Sequence, residues 1–190
     1  ANSILKLSDN WTVQTRAFVE ITPGRWADAW LTLPLVDGTE YIDPYIGVGG
    51  WTTPTMSVGQ YREDGNGTFG SFPVPLADTF VRFRNDAATK TLYGEYDLDG
   101  PANGWTWQVA MNLKWDTGAV KLWNGSQFTD HTAPAWTFTT GGHVQPALQF
   151  GFQNGSQPIA AGKVGFDDFE IKMDNLANGL VAYYPFNGNA

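Results

Sequence analysis

Apolar and polar residues alternate one by one along most of this chain, and no window keeps a helical period for more than a few residues. The clearest case is Trp105–Trp115, where every odd position is large and apolar. A period of two is the pattern of a β-strand with one buried face. Many short strands separated by turns rich in Gly, Pro, Asn and Asp predict an all-β sandwich of two antiparallel sheets. We expect Trp105–Trp115 at the centre of a sheet, with Trp105, Trp107 and Trp115 in the core beside Trp11.

The composition excludes several classes of partner and cofactor. The chain has 190 residues, which suits one domain with a sizeable core, and it has no cysteine, so disulfides and Cys-ligated metals are excluded. Its net charge of −8 argues against nucleic acid or an anionic membrane as the main partner. No segment approaches the apolar length of a membrane span, so we expect no membrane insertion.

Two strands near the C-terminus, Val144–Gln153 and Lys163–Lys172, are expected to form a closing pair. In the second strand the alternation slips by one residue at Asp167-Asp168, which indicates a β-bulge that re-aims one carboxylate. The run from Gly162 to Ile171 has the form G-x-V-x-F-D-D-F-x-I. It resembles the last strand of sandwich domains in the concanavalin A-like lectin and glucanase superfamily. The resemblance implies a concanavalin A-like jelly roll over residues 1–174.

The last sixteen residues differ in kind from the rest of the chain. The run Asp174–Asn178 has linker composition, and Gly179–Ala190 reads GLVAYYPFNGNA. This run resembles the opening strand of a laminin-G-like or pentraxin-like domain, which implies that residues 175–190 begin a second, truncated module. The alternative is a C-terminal strand of the same sandwich. In either case we expect an apolar strand docked on a sheet edge, so residues 179–190 are a candidate for self-association or neighbouring-domain contact.

Several aromatic residues fall on strand positions that should face away from the core. In Arg25–Leu33 the small residues Ala27 and Ala29 predict the core row, so Trp26, Asp28 and Trp30 should lie solvent-accessible on the concave sheet near Gln149. Sugar rings stack on aromatic faces, while amides and carboxylates bind their hydroxyls. The alternative is burial under loops or at a domain junction. The candidate ligand-binding residues are Trp26, Asp28, Trp30, Tyr45, Trp51, Tyr93, Gln149 and Gln153.

Three carboxylates share one strand face in Glu95-Tyr96-Asp97-Leu98-Asp99. The run is similar to the Glu-x-Asp-x-Glu strand of laminarinase- and lichenase-type glucanases, where the acids act as nucleophile and acid/base. It departs from that pattern because the last acid is the shorter Asp99, next to a Gly-Pro turn, and because the surrounding aromatic consensus is missing. We therefore assign no catalytic residue. The alternatives are a solvated edge or a calcium-binding rim.

The adjacent acids at the expected bulge are the candidate metal ligands. In many sandwich carbohydrate-binding modules an Asp of the C-terminal strand helps to hold a structural calcium ion, and this resemblance points to Asp168, with Asp167 beside it. The alternative is a bulge whose Asp caps neighbouring backbone amides.

These patterns lead to one expected function and two rivals. We expect a non-catalytic, lectin-like module that binds an oligo- or polysaccharide, in an exported bacterial protein located outside the cell or at its surface. One rival is a structural or adhesive module with protein neighbours. The other is a divergent glycoside hydrolase that uses Glu95, Asp97 and Asp99.

Overall fold

The computed structural model of the chain describes residues 5–21, 23, 26–38, 40–62, 67–75, 78–132, 138–153, 163–174 and 180–184. At 40, 62, 132, 151–153 and 180–184 the description is of the backbone alone. A short 3-10 helix spans Gly100–Asn103. The strands of this part of the chain are β1 (Leu5–Lys6), β2 (Trp11–Val19), β3 (Trp26–Thr32), β4 (Leu35–Asp37), β5 (Glu40–Gly50), β6 (Thr55–Arg62), β7 (Gly67–Pro73), β8 (Asp78–Asp86), β9 (Thr91–Asp97), β10 (Gln108–Lys114), β11 (Ala119–Trp123), β12 (Phe128–Thr132), β13 (His143–Val144), β14 (Ala147–Gln153), β15 (Val164–Met173) and β16 (Leu180–Tyr184).

The strands form two antiparallel sheets, which confirms the predicted all-β sandwich. Sheet A has the order β1-β13-β4-β5-β3-β14, and β6 and β7 continue it from the other side of β5. Sheet B has the order β12-β11-β10-β9-β8-β2-β15-β16. Strand β5 is long enough to pair with β4 near its start, with β3 near its end, and with β6 along its opposite edge. No helix in the described part of the chain is long and apolar enough to cross a membrane.

One hydrophobic core lies between the two sheets. The predicted core row of β3 is confirmed, because Ala27, Ala29 and Leu31 are all buried. Burial of apolar surface between the sheets is the main stabilising term for such a sandwich. The largest side chains with almost no exposure include Trp11, Trp115, Phe83, Leu31, Leu33, Ile42 and Ile46.

The prediction for Trp105–Trp115 is only partly correct. Trp115 is buried, but strand β10 begins at Gln108, and Trp105 is 42% exposed. Two features, one before β10 and one near its start, interrupt the regular alternation. The register shifts between Val109 and Met111, and Gly104 has a φ of +81°. Trp105 and Trp107 therefore leave the core, and β10 lies third from the edge of sheet B rather than at its centre.

The two closing strands do not pair with each other, contrary to the prediction. Strand β14 pairs with β3 in sheet A, whereas β15 pairs with β2 and β16 in sheet B. The predicted bulge is confirmed: the β2–β15 register shifts between Asp167 and Glu170, and Asp168 has a φ of +52°. A positive φ at a non-glycine residue is uncommon and is tolerated best by Asn and Asp.

The C-terminal segment is docked on the sandwich. Strand β16 pairs antiparallel with β15 and lies at the end of the strand order of sheet B. Residues 175–179 and 185–190 lie outside the described part of the chain. That a second module starts in this segment stays a prediction.

Candidate functional site

Most of the predicted ligand-binding residues come together on the face of sheet A that points away from the core. Trp26, Asp28 and Trp30 alternate with the core row of β3. Gln149 is directly opposite Trp30, and the backbone of Gln153 is opposite Trp26. The side chain of Gln153 lies outside the described part of the chain.

Five aromatic side chains lie on this face in two contact groups, Trp30–Tyr45–Tyr61 and Trp26–Trp51, which we together call the aromatic strip. Tyr45 lies between Trp30 and Tyr61, with both centroid distances at 5.1 Å. Its ring is tilted by 39° to Trp30 and stacked at 13° on Tyr61. At the other end Trp26 meets Trp51 edge-on at 6.1 Å. Trp26 and Trp30 are about 13 Å apart along β3, and Tyr61 lies two strands away, roughly 10 Å across the sheet. The strip is thus long enough for several sugar rings.

Glycines opposite the aromatic rings allow the rings to lie close to the sheet. Trp30 is paired with Gly47 across the strands, and a Cβ at Gly47 would lie 2.5 Å from Trp30 Cδ1. Tyr45 has the same relation to Gly59, where a Cβ would lie 2.8 Å from the Tyr45 hydroxyl oxygen. Both distances are far shorter than a van der Waals contact between heavy atoms. The small residues therefore set the position of the rings.

Asp28 is buried on the face of the strip and forms a hydrogen bond with Trp26. Contrary to the predicted solvent access, Asp28 is 1% exposed. Its Oδ2 accepts a hydrogen bond from the indole Nε1 of Trp26. Trp26 and Trp30 are half-buried, and Tyr45 is buried. A charged group at an exposed strand position would meet solvent. Asp28 instead orients the indole ring of Trp26.

Two buried polar atoms along this face have no hydrogen-bond partner among the described residues. They are the Nε1 donor of Trp30 and the Oδ1 acceptor of Asp43, which lies opposite Tyr61. Buried polar groups are normally satisfied, so each such atom calls for a physical explanation. Both atoms are closed to solvent, so they are unsatisfied groups within the sheet and not groups that a surface ligand reaches.

The Asp43→Asn variant is expected to be more stable than the wild type at neutral pH. Burial raises the pKa of Asp43 from 3.8 to about 6, partly offset by a hydrogen bond from the Leu33 backbone. Between these values the folded state binds a proton that the unfolded chain has lost, so stability falls as pH rises through this window. We expect the variant to gain about 1 kcal/mol at pH 7.5 after allowance for solvent screening, and nothing at pH 4. Thermal melts at both pH values check this, and equal melting temperatures at pH 7.5 would contradict it.

The electrostatics of this face suit an uncharged ligand better than an acidic one. Among the described side chains that pair across strands with the aromatic strip, none is Lys or Arg. Asp28 and Asp43 lie on the same face. An acidic ligand would meet the carboxylate of Asp43, and like charges at close range are unfavourable. The polar neighbours include Ser57 and Gln149, which can exchange hydrogen bonds with hydroxyl groups.

Tyr93 is the one predicted ligand-binding residue that lies on the other sheet. It faces outward from β9 in sheet B, where the guanidinium carbon of Arg84 lies 4.1 Å from its ring centroid. The alternation identified correctly that Tyr93 points away from the core. It could not identify the sheet, because strand period does not specify the strand partner.

The acids of the glucanase-like run take part in structural contacts. Glu95 is 3% exposed and accepts hydrogen bonds from Arg82 Nε at 2.5 Å and Arg84 Nη2 at 2.9 Å. Asp97 is fully buried and accepts the backbone N–H of Thr106, among others. Only Asp99 is exposed. These contacts explain the burial of Glu95 and Asp97 through structural roles.

The described residues at the bulge fit an ion pair better than a calcium ion. Asp167 Oδ1 accepts the backbone N–H of Asp168 at 2.9 Å, and Asp167 Oδ2 lies 3.9 Å from a guanidinium nitrogen of Arg16. A guanidinium beside the carboxylate disfavours a cation there. Within the described ranges no group of three or more His, Asp or Glu side chains is placed to hold a metal. Calcium binding at Asp168 stays a prediction from the resemblance alone.

Tyr61 and Phe69 belong to this face but were not identified from the sequence. Tyr61 is 43% exposed and stacks on Tyr45, and Phe69 is 70% exposed and lies opposite Gly59. The available signal was the alternation of glycine with aromatic residues over 59–69. In a strand, that pattern marks rings that lie over a neighbouring backbone.

Comparison with models of known protein families gave no match to this chain, and comparison with curated proteins gave none either.

Proposed function

We propose that this chain is a non-catalytic carbohydrate-binding module with a concanavalin A-like jelly roll, and that it binds a neutral polysaccharide along the aromatic strip. The expected setting is an exported modular protein, as the resemblances of the C-terminal strands imply.

The observation that carries the proposal is the aromatic strip itself. Five rings lie on the outer face of sheet A, as a group of three over glycine-containing strands and a pair at the other end of β3, and Asp28 accepts a hydrogen bond from the indole of Trp26. Rings fixed in this way lose little conformational entropy when a ligand stacks on them. Such preorganisation favours stacking on the C–H faces of sugars, while the amide of Gln149, opposite Trp30, can bind hydroxyl groups.

A second candidate function is contact with protein neighbours. The observation in its favour is the edge strand β16, because an edge exposes backbone donors and acceptors that another strand can pair with. Half-buried aromatic rings also occur at domain junctions. This candidate predicts concentration-dependent association and no glycan dependence.

Polysaccharide binding is expected to depend on Tyr61. In native gels that contain mixed-linkage β-glucan, xylan or glucomannan, the wild-type chain should be retarded by at least one of the three polymers. The Tyr61→Ala variant should bind about tenfold more weakly, because truncating an aromatic anchor typically costs more than 1 kcal/mol. Gels with polygalacturonate, an acidic polymer, should cause no retardation.

Phe128→Ala is the matched control for this experiment. Phe128 lies on β12 of sheet B and is 41% exposed, close to the 43% of Tyr61. Both variants remove an exposed aromatic ring, but only one changes the strip. Equal retardation of the two variants would show that the strip does not bind the polymer. No retardation of the wild type by any neutral polymer would contradict the proposed function.

A further inference from the structure

A second exposed aromatic surface lies on the opposite side of the sandwich from the aromatic strip. Trp105, in the segment that precedes β10, is 42% exposed. Its ring stacks on Trp107 at 5.0 Å and 15°, and the ring of Phe80 meets it edge-on at 5.1 Å. A large apolar side chain that stays exposed while its neighbours are packed is an informative departure from ordinary burial.

The Trp105–Trp107 stack is anchored in sheet B. The guanidinium carbon of Arg82 lies 4.0 Å from the Trp107 ring centroid, which is a cation–π contact. Arg82 in turn donates from Nε to the buried carboxylate of Glu95 at 2.5 Å. The contacts therefore run from a buried acid through Arg82 and Trp107 to Trp105, the most exposed member.

The loop that carries Trp105 is also held from below. The carboxylate of Asp97, fully buried, accepts the backbone N–H of Gly100 at 2.8 Å and that of Thr106 at 2.5 Å. A carboxylate that accepts several backbone N–H groups fixes a loop through charge-assisted hydrogen bonds. Trp105 is thus presented by a fixed loop and need not be ordered when a ligand arrives.

Three exposed polar side chains lie in the same loop as Trp105. Asp99 Oδ2 accepts from Asn103 Nδ2 at 3.2 Å, and Asp99 Oδ1 accepts from Thr106 Oγ1 at 3.4 Å. A carboxylate, an amide and a hydroxyl in the loop that carries a partly exposed indole are groups that can bind sugar hydroxyls while a sugar ring stacks on the indole.

We infer that Trp105, with Asp99, Asn103 and Thr106, forms a second binding site for a neutral sugar, separate from the aromatic strip. An acidic sugar is disfavoured because Asp99 is an exposed carboxylate in the same loop as Trp105. The nearby cations are already paired with acids, as Arg16 is with Asp78 at 2.6 Å. Because the two sites lie on opposite faces of the sandwich, one chain can bind two polysaccharide chains and link them.

The inference rests on the proposed function for its ligand class, and the test separates the two. Mixed-linkage β-glucan, xylan and glucomannan are mixed in turn with the wild type, Trp105→Ala, Tyr61→Ala and the double variant, and gel retardation and light scattering are measured. Linking of polymer chains by a two-site protein should raise the scattering of the wild-type mixture. Each single variant should keep retardation, weakened about tenfold or less, but should lose the rise in scattering. The double variant should lose both.

The other outcomes contradict the second binding site, the proposed function or both. If Trp105→Ala links polymer as the wild type does, the second site is wrong and the proposed function stands. If the wild type is retarded without any rise in scattering, the second site is also wrong and the proposed function stands. If Tyr61→Ala changes nothing and Trp105→Ala abolishes retardation, Trp105 binds sugar and the strip does not. No retardation of the wild type contradicts both. Melting temperatures within about 3 °C of the wild type verify that the variants fold, as expected for exposed positions.

Discussion

Replacing Glu95 by alanine is expected to lower the free energy of unfolding by about 3 to 5 kcal/mol. The Glu95 side chain is 4% exposed and forms ion pairs with Arg82 at 2.5 Å and Arg84 at 2.9 Å. Removing the shared acid leaves two partly buried guanidinium groups without their carboxylate. Urea unfolding at pH 7 measures the loss.

Asp130→Ala is the matched control for the Glu95 variant. Asp130 also lies in sheet B and pairs with Lys121 at 3.1 Å, but its side chain is 81% exposed. An exposed pair contributes at most about 1 kcal/mol, so the control should unfold almost as the wild type does. A loss below 1 kcal/mol for Glu95→Ala would contradict the structural role of Glu95. Release of reducing ends from β-glucan by the wild type, lost in Glu95→Gln, would favour the glycosidase alternative instead.

Replacing Gly47 by alanine is expected to reduce both stability and glycan binding. The added Cβ would lie 2.1 Å from the backbone oxygen of Ala29 and 2.5 Å from Trp30 Cδ1, so β5 and the indole cannot both keep their positions. Overpacking of this kind typically costs 1 to 3 kcal/mol, and we expect about 2 kcal/mol here. Because Trp30 moves, polysaccharide binding should also fall by about tenfold. Urea unfolding and native gels with the retained polymer measure the two effects.

Gly141→Ala controls for the general effect of adding a methyl group. Its Cβ would come no closer than 3.3 Å to any other described heavy atom, and that atom is the flexible Oγ1 of Thr139. We expect a change in stability within about 0.5 kcal/mol and unchanged binding. A Gly47→Ala variant with wild-type stability and wild-type gel retardation would show that Trp30 does not depend on the glycine opposite it.

The sequence was sufficient for the fold class and for the faces of the strands, but not for their partners. The period of two placed Ala27 in the core and Trp30 on the opposite face of β3, as the structure confirms. It also suggested that the strands now seen as β14 and β15 pair, although they lie in different sheets. Alternation determines which side chains share a face, whereas pairing depends on long-range contacts that one sequence does not display.

The sequence also predicted which residues of the candidate site face outward, but not which of them are neighbours across the strands. Outward-facing aromatic residues were identifiable one strand at a time, so Trp26 and Tyr45 were found. That Tyr61 stacks on Tyr45 follows from the register of β5 and β6, which no local pattern specifies. Trp105 was assigned to the core because it keeps the alternation of its neighbours. The loop held by Asp97 and the register shift in β10 change the direction of the side chains, although the alternation of residue types continues through this segment.

The most direct test of the central claim is a titration of the ¹⁵N-labelled chain with a soluble fragment of the retained polysaccharide, followed through the tryptophan indole N–H signals. The chain has nine tryptophans, and single Trp→Phe variants assign their signals. We expect the signals of Trp26, Trp30 and Trp51 to shift together and saturate, while those of the buried Trp11 and Trp115 stay in place. Unchanged signals for Trp26, Trp30 and Trp51 at saturating fragment would contradict glycan binding along the aromatic strip.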